Sequence, residues 1–118
     1  MEQVEIERAR LMMVHLGGRE QSIALGVRAT EGGDVLEVLS LADEELDDKK
    51  VIAALASNGR PRLVGFVTID VDGRPHLFAR AANLMETLDD DELDRMITAT
   101  ARLADDWEAR QSQGGDKW

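Results

Sequence analysis

Apolar and polar residues alternate along much of the chain with a period of two, and glycine-bearing turns cut the alternation. Residues 21–30 place Ile23, Leu25, Val27 and Ala29 on one side and Ser22, Ala24, Gly26 and Arg28 on the other, the pattern of a strand with one buried face. The run Leu11-Met12-Met13-Val14 predicts a strand over residues 10–16, and before it Val4 and Ile6 alternate with Glu5 and Glu7 in a stretch that suits a strand or a short helix. Gly17-Gly18 fits a two-residue hairpin loop with positive φ at both positions. Residues 35–41 read as a third strand, apolar on both sides apart from Glu37 and Ser40. Three short strands joined by tight turns predict an antiparallel meander.

The period then changes. Residues 44–57 predict a helix with Asp43 as N-cap, acids in the first turns against the dipole, and a stripe of Val51, Ile52 and Leu55. Asn58-Gly59 supplies a left-handed stop, and Pro61 prevents continuation. Residues 63–71 and 74–80 form a hairpin about Asp72-Gly73, a preferred type I′ pair. The two-residue loop fixes the register: Val71 faces Arg74, Ile69 faces His76, Val67 faces Phe78, Thr68 faces Leu77 and Phe66 faces Ala79. Pro75 cannot donate to a ladder, which puts its strand at an edge or its start at a bulge. The last helix starts at the N-cap Asp89, with Glu92 completing a capping box and Leu88 and Leu93 placed for a hydrophobic staple. Leu93, Met96, Ile97, Ala101, Ala104 and Trp107 follow at helical spacing to about Gln111.

The expected fold is α+β: an antiparallel sheet in the order β-β-β-α-β-β-α with helices packed on it. Residues 1–111 form one domain, and residues 112–118, with Gly114-Gly115 and no periodicity, read as a disordered tail.

Composition narrows the function. The 118 residues are 43% hydrophobic and 32% charged, with a formal net charge of −10. That balance argues against nucleic acid or an anionic membrane as partner. No apolar run approaches the roughly 20 residues of a membrane helix. The start carries acids and lacks the apolar core of a signal peptide, so the expected compartment is the cytoplasm. With no Cys, no Tyr and two His, thiolate chemistry is excluded and few acids, bases or nucleophiles are on offer.

The candidate chemistry has plainer explanations. His76 beside Asp70 and Asp72 would make a small hydrolase or isomerase site, but the register sends Asp70 to the other face, and His76 reads as a strand histidine near a turn. His15 reads the same way. Asp70-Val71-Asp72-Gly73 resembles the start of a calcium loop without its later ligands. The acidic runs at residues 43–48 and 89–92 are explained as helix caps, and Arg60, Arg62, Arg74 and Arg80 as solvated strand ends. Neither Gly17-Gly18 nor Gly32-Gly33 is a phosphate loop, since no helix follows either. No catalytic, cofactor or metal residue is assigned. The informative oddity is that both faces of the second hairpin are apolar. The C-terminal helix can cover Phe66 and Leu77. Val67, Ile69 and Phe78 are left on the other face as candidates for a protein interface, most simply with a second copy of the chain.

Three stretches carry a family likeness: Ala54-Leu55-Ala56-Ser57-Asn58, Gly65-Phe66-Val67-Thr68-Ile69-Asp70-Val71-Asp72-Gly73, and Leu88-Asp89-Asp90-Asp91-Glu92-Leu93 continuing to Leu103-Ala104-Asp105-Asp106-Trp107-Glu108. They resemble the YbjN family and the related CesT-like type III secretion chaperones. That resemblance implies a small acidic, often dimeric α-β-β-β-α-β-β-α fold. This chain departs from it at the start, where residues 2–8 are a remnant of the first helix or the helix is dispensed with. In the secretion chaperones that helix helps form the effector-binding surface. The implied function is a non-enzymatic, homodimeric binder of a client or effector polypeptide, with an acidic surface suited to basic clients. The alternatives are a stress or regulatory domain with one defined protein partner, and the His/Asp hydrolase.

Overall fold

The computed structural model describes residues 10–58 and 64–112. They form β1 (Arg10–Leu16), β2 (Arg19–Thr30), β3 (Gly33–Asp43), α1 (Asp48–Ser57), β4 (Gly65–Val71), β5 (Arg74–Leu84) and α2 (Asp90–Ser112), with a 3₁₀ turn at Met85–Thr87 before α2. This is the expected α+β fold, with both helices packed on one antiparallel sheet. The strand order is β1-β2-β3-β5-β4. Ser112 ends α2 rather than opening the tail, and its hydroxyl donates to Ala109 O. The readings of residues 4–9, of Gly59 to Leu63 and of the tail beyond Ser112 lie outside the described residues.

Both glycine loops behave as the spacing requires. Gly17 and Gly18 have φ of 56° and 92°, and Asp72 and Gly73 have φ of 53° and 79°, the left-handed pair of a type I′ turn. The β4–β5 register matches the sequence reading, from Val71 opposite Arg74 to Phe66 opposite Ala79. Pro75 does not mark an edge, because β5 lies inside the sheet between β3 and β4. It sits at the start of β5, before the first β3 partner Leu77, where the register shifts between Leu41 and Asp43. No ladder donor is missed there.

Directly opposed residues share a face, so the registers sort the sheet into two faces. One holds Ile23, Val38, Phe66, Leu77, Ala79 and Ala81, which join Met96, Ala101, Leu103, Ala104 and Trp107 of α2 and Ala54 of α1 in one core cluster. Trp107 is fully buried, and its ring meets Phe66 edge-on at a centroid distance of 5.2 Å. The α2 stripe is therefore the predicted one, widened by Thr100 and Leu103. Asp89 caps it, with Oδ1 accepting from Glu92 N at 2.8 Å. The Glu92 carboxylate contacts Asn83 Nδ2 at 3.4 Å.

The first helix differs from expectation in three ways. It starts at Asp48, and its N-cap is Asp47, whose Oδ1 accepts from Lys50 N at 2.8 Å. Asp43, the predicted cap, ends β3 and is engaged elsewhere. The predicted stripe does not face the core: Ile52 and Leu55 are 68% and 58% exposed, while Ala54 and Ser57 are buried. Small residues let the helix lie close to the sheet, and the large ones are turned out. Finally, Asn58 is right-handed, with φ −67° and ψ −13°. Gly59, the other half of the predicted stop, lies outside the described residues.

Candidate functional site

The registers place Val67 opposite Phe78 and Ile69 opposite His76, on the face away from the core cluster. Leu41 lies opposite Phe78 on β3, and Leu11 lies opposite Ala24 at the far side of the sheet. Ile69 is 7% exposed within the single chain, and Val67 and Phe78 are half-buried. The exposure of this face is thus smaller at the hairpin than its sequence suggests. It is larger on β1, where Leu11 is 72% and Met13 48% exposed. Sequence reasoning missed those two. The signal for them was the unbroken apolar run on a strand that becomes a sheet edge.

Charge on the second face is arranged about Glu37. Its Oε1 lies 2.7 Å from Arg28 Nη2 and 3.2 Å from Arg80 Nη2, and Oε2 accepts from Arg80 Nε at 3.3 Å. The contacts at Oε1 are ionic, without the alignment of a hydrogen bond. Two guanidinium groups around one carboxylate leave this part of an acidic protein locally cationic. The predicted basic hairpin edge is thereby divided: Arg80 is held at Glu37, Arg74 stands at the turn, and Arg60 and Arg62 lie outside the described residues.

The histidine candidates do not assemble a site. Asp70 pairs with Pro75, one position out of step with Ile69 and His76, so Asp70 and His76 point to opposite faces. His76 Nδ1 instead contacts Arg74 O at 2.9 Å. His15 lies 3.4 Å from Glu20 on an exposed surface. A shallow open cleft of about 450 Å³ is lined by Glu44, Glu45, Leu46, Asp47, Lys50, Arg74 and Pro75, and these do not include His76, Asp70 or Asp72. Among the described residues no group of three or more His, Cys, Asp or Glu is placed to hold a metal ion. No described helix is long and apolar enough to cross a membrane.

A polar network on the core face ties the elements together. Gln21, 6% exposed, donates through Nε2 to Ser40 Oγ, Leu41 O and Glu108 Oε1 at 3.0–3.1 Å. Asp43 accepts from Trp107 Nε1 at 2.9 Å and from Glu45 N at 2.9 Å, and its Oδ2 lies 3.1 Å from Lys50 Nζ. Burial pushes the Asp43 carboxyl up, but the bonds from Trp107, Glu45 and Lys50 and the charge of Lys50 outweigh it, so its pKa lies below the ordinary 3.8. Glu108 goes the other way: burial raises it, the Gln21 bond opposes, and Asp105 and Asp43 add to the rise above 4.5. This network is structural in form: each carboxylate meets a partner from the fold.

At the β4 edge Asn58 acts as a stopper. Its Oδ1 accepts from Phe66 N at 2.7 Å and its Nδ2 donates to Phe66 O at 2.8 Å. The side-chain amide thus fills the place that a peptide group of a sixth strand would take. No family model matches the chain, and no curated protein matches its sequence.

Proposed function

We propose that the chain is a non-enzymatic polypeptide-binding protein that works as a homodimer, similar in role to the YbjN family and the CesT-like secretion chaperones. The observation that carries the reading is the second face of the sheet. Val67 and Phe78 sit there outside the core cluster, in line with exposed Leu11 and Met13 on the same face. Ile52 and Leu55 on α1 add exposed apolar helix surface. Aliphatic and aromatic groups spread over a flat sheet suit the alternate side chains of an extended peptide. The element order β-β-β-α-β-β-α and the three sequence stretches of the resemblance support the same reading.

The test is binding of fluorescently labelled extended peptides from a tiled set, read by anisotropy with the full chain. Micromolar binding of peptides with alternating apolar residues is expected. Phe78→Asp should abolish it and leave the circular dichroism spectrum intact. Uniform failure to bind, or binding indifferent to Phe78→Asp, would sink the reading.

A further inference from the structure

We propose that β1 is the dimerisation strand, pairing antiparallel with β1 of a second copy so that two five-stranded sheets become one. This rests on the reading that the chain works as a pair, and it assigns where the pair meets.

The two edges of the sheet are unlike. In a two-residue hairpin the pair flanking the loop is hydrogen-bonded, and bonded pairs then alternate along the strands. On β4 the flanking pair is Val71 with Arg74, so Phe66, Thr68 and Asp70 direct their backbone groups outward. Asn58 meets Phe66 where this rule requires an open donor and acceptor. On β1 the flanking pair is Leu16 with Arg19. The outward groups are then those of Leu11, Met13 and His15, and among the described residues no such stopper meets them. The side chains agree with the backbone: Leu11, Met12 and Met13 are 72%, 39% and 48% exposed. Residues 11–14 carry no lysine, proline or charge, the usual guards of an edge.

Charge and register favour a second copy as the occupant. The chain carries −10 overall, yet residues 10–16 include no acid, so two copies can approach here without opposing carboxylates. Because the outward residues are odd-numbered, the numbers of paired residues must sum to an even value. Pairing centred on Met13 puts Met13 opposite Met13, Leu11 opposite His15 and Arg10 opposite Leu16. No like charges face each other, and about six hydrogen bonds form at two per bonded pair.

Sedimentation velocity of the full chain over a concentration series tests this. A reversible dimer is expected. Met13→Pro removes an outward donor without touching the β1–β2 ladder, and it should weaken association by about a hundredfold or more. Leu11→Lys, which puts a guarding charge on the edge, should do likewise and keeps the test intact if the proline variant misfolds. Thr68→Pro, the equivalent change on β4, should leave association unchanged. In the dimer the amides of Leu11, Met13 and His15 should exchange slowly at high concentration and rapidly on dilution. A chain monomeric at millimolar concentration overturns the proposal, as does a dimer indifferent to both β1 variants or one broken by Phe78→Asp instead. A dimer broken at β1 that binds no peptide would uphold this inference and defeat the functional reading alone.

Discussion

The indole Nε1 of Trp107 donates to Asp43 Oδ2 at 2.9 Å, joining residues 64 apart in sequence. The bond fixes the last turns of α2 over the end of β3, where Asp43 lies well before the helix start at Asp48. Asp43→Ala would leave the N–H of a fully buried ring without its acceptor, a cost of about 1–3 kcal/mol. Urea denaturation should show that loss, and Asp43→Asn, which keeps an acceptor oxygen, should lose less.

The same carboxylate gives an acid-side signature. Its pKa is lowered in the fold from 3.8, so the folded state binds that proton less readily than the unfolded one. The stability it confers is fully present above 3.8 and is lost as pH falls through the lower folded value. The advantage of wild type over Asp43→Asn in denaturation midpoint should shrink across that window. Glu108 has the opposite sign, because its pKa is raised above 4.5. Its charge opposes folding at neutral pH, so Glu108→Gln should be at least as stable as wild type at pH 7. That margin should narrow as pH falls toward 4.5.

Asn58→Ala removes both side-chain bonds to Phe66. The expected loss is about 1–2 kcal/mol, accompanied by concentration-dependent association as the β4 edge opens. Light scattering against wild type at matched concentration checks the second effect.

Gly73 has φ +79° with no atom near its missing Cβ, so the obstacle to substitution is conformational rather than steric. Gly73→Val should cost about 1–2 kcal/mol. An unchanged midpoint would count against the type I′ loop.

Those features were legible in unequal measure. The β4–β5 register could be read residue by residue because a two-residue loop leaves one choice of pairing. The α2 stripe was legible because caps and spacing agreed. Which hairpin strand joins β3 was not, since Pro75 allowed either an edge or a bulge at the start of its strand and local pattern does not show how a hairpin is docked. Asp43 and Asp47 both suit a cap, and local pattern does not choose between them; in the fold Asp43 ends β3 and bonds Trp107, distant in sequence. The outward turn of Ile52 and Leu55 was hidden because helical period says that a stripe exists, not that it faces the core when alanines offer a closer approach. Gln21 looked like the start of a strand, and nothing in its period announced a buried amide with three acceptors. Of the candidate interface, the face shared by Val67, Ile69 and Phe78 was readable, but the exposure of Leu11 and Met13 needed the strand order.

Asn58 has a consequence for stoichiometry. Copies that add through unlike edges can grow without limit into a filament, whereas a join between identical strands closes after one step. In the proposed dimer the outer boundaries of the joined sheet are both β4, and each is already occupied at Phe66 by an amide. Only Thr68 and Asp70 then remain as outward residues of β4, a short edge on which to start further growth. A single side chain far from Leu11-Met12-Met13-Val14 thus narrows what a pair joined at that strand can add next.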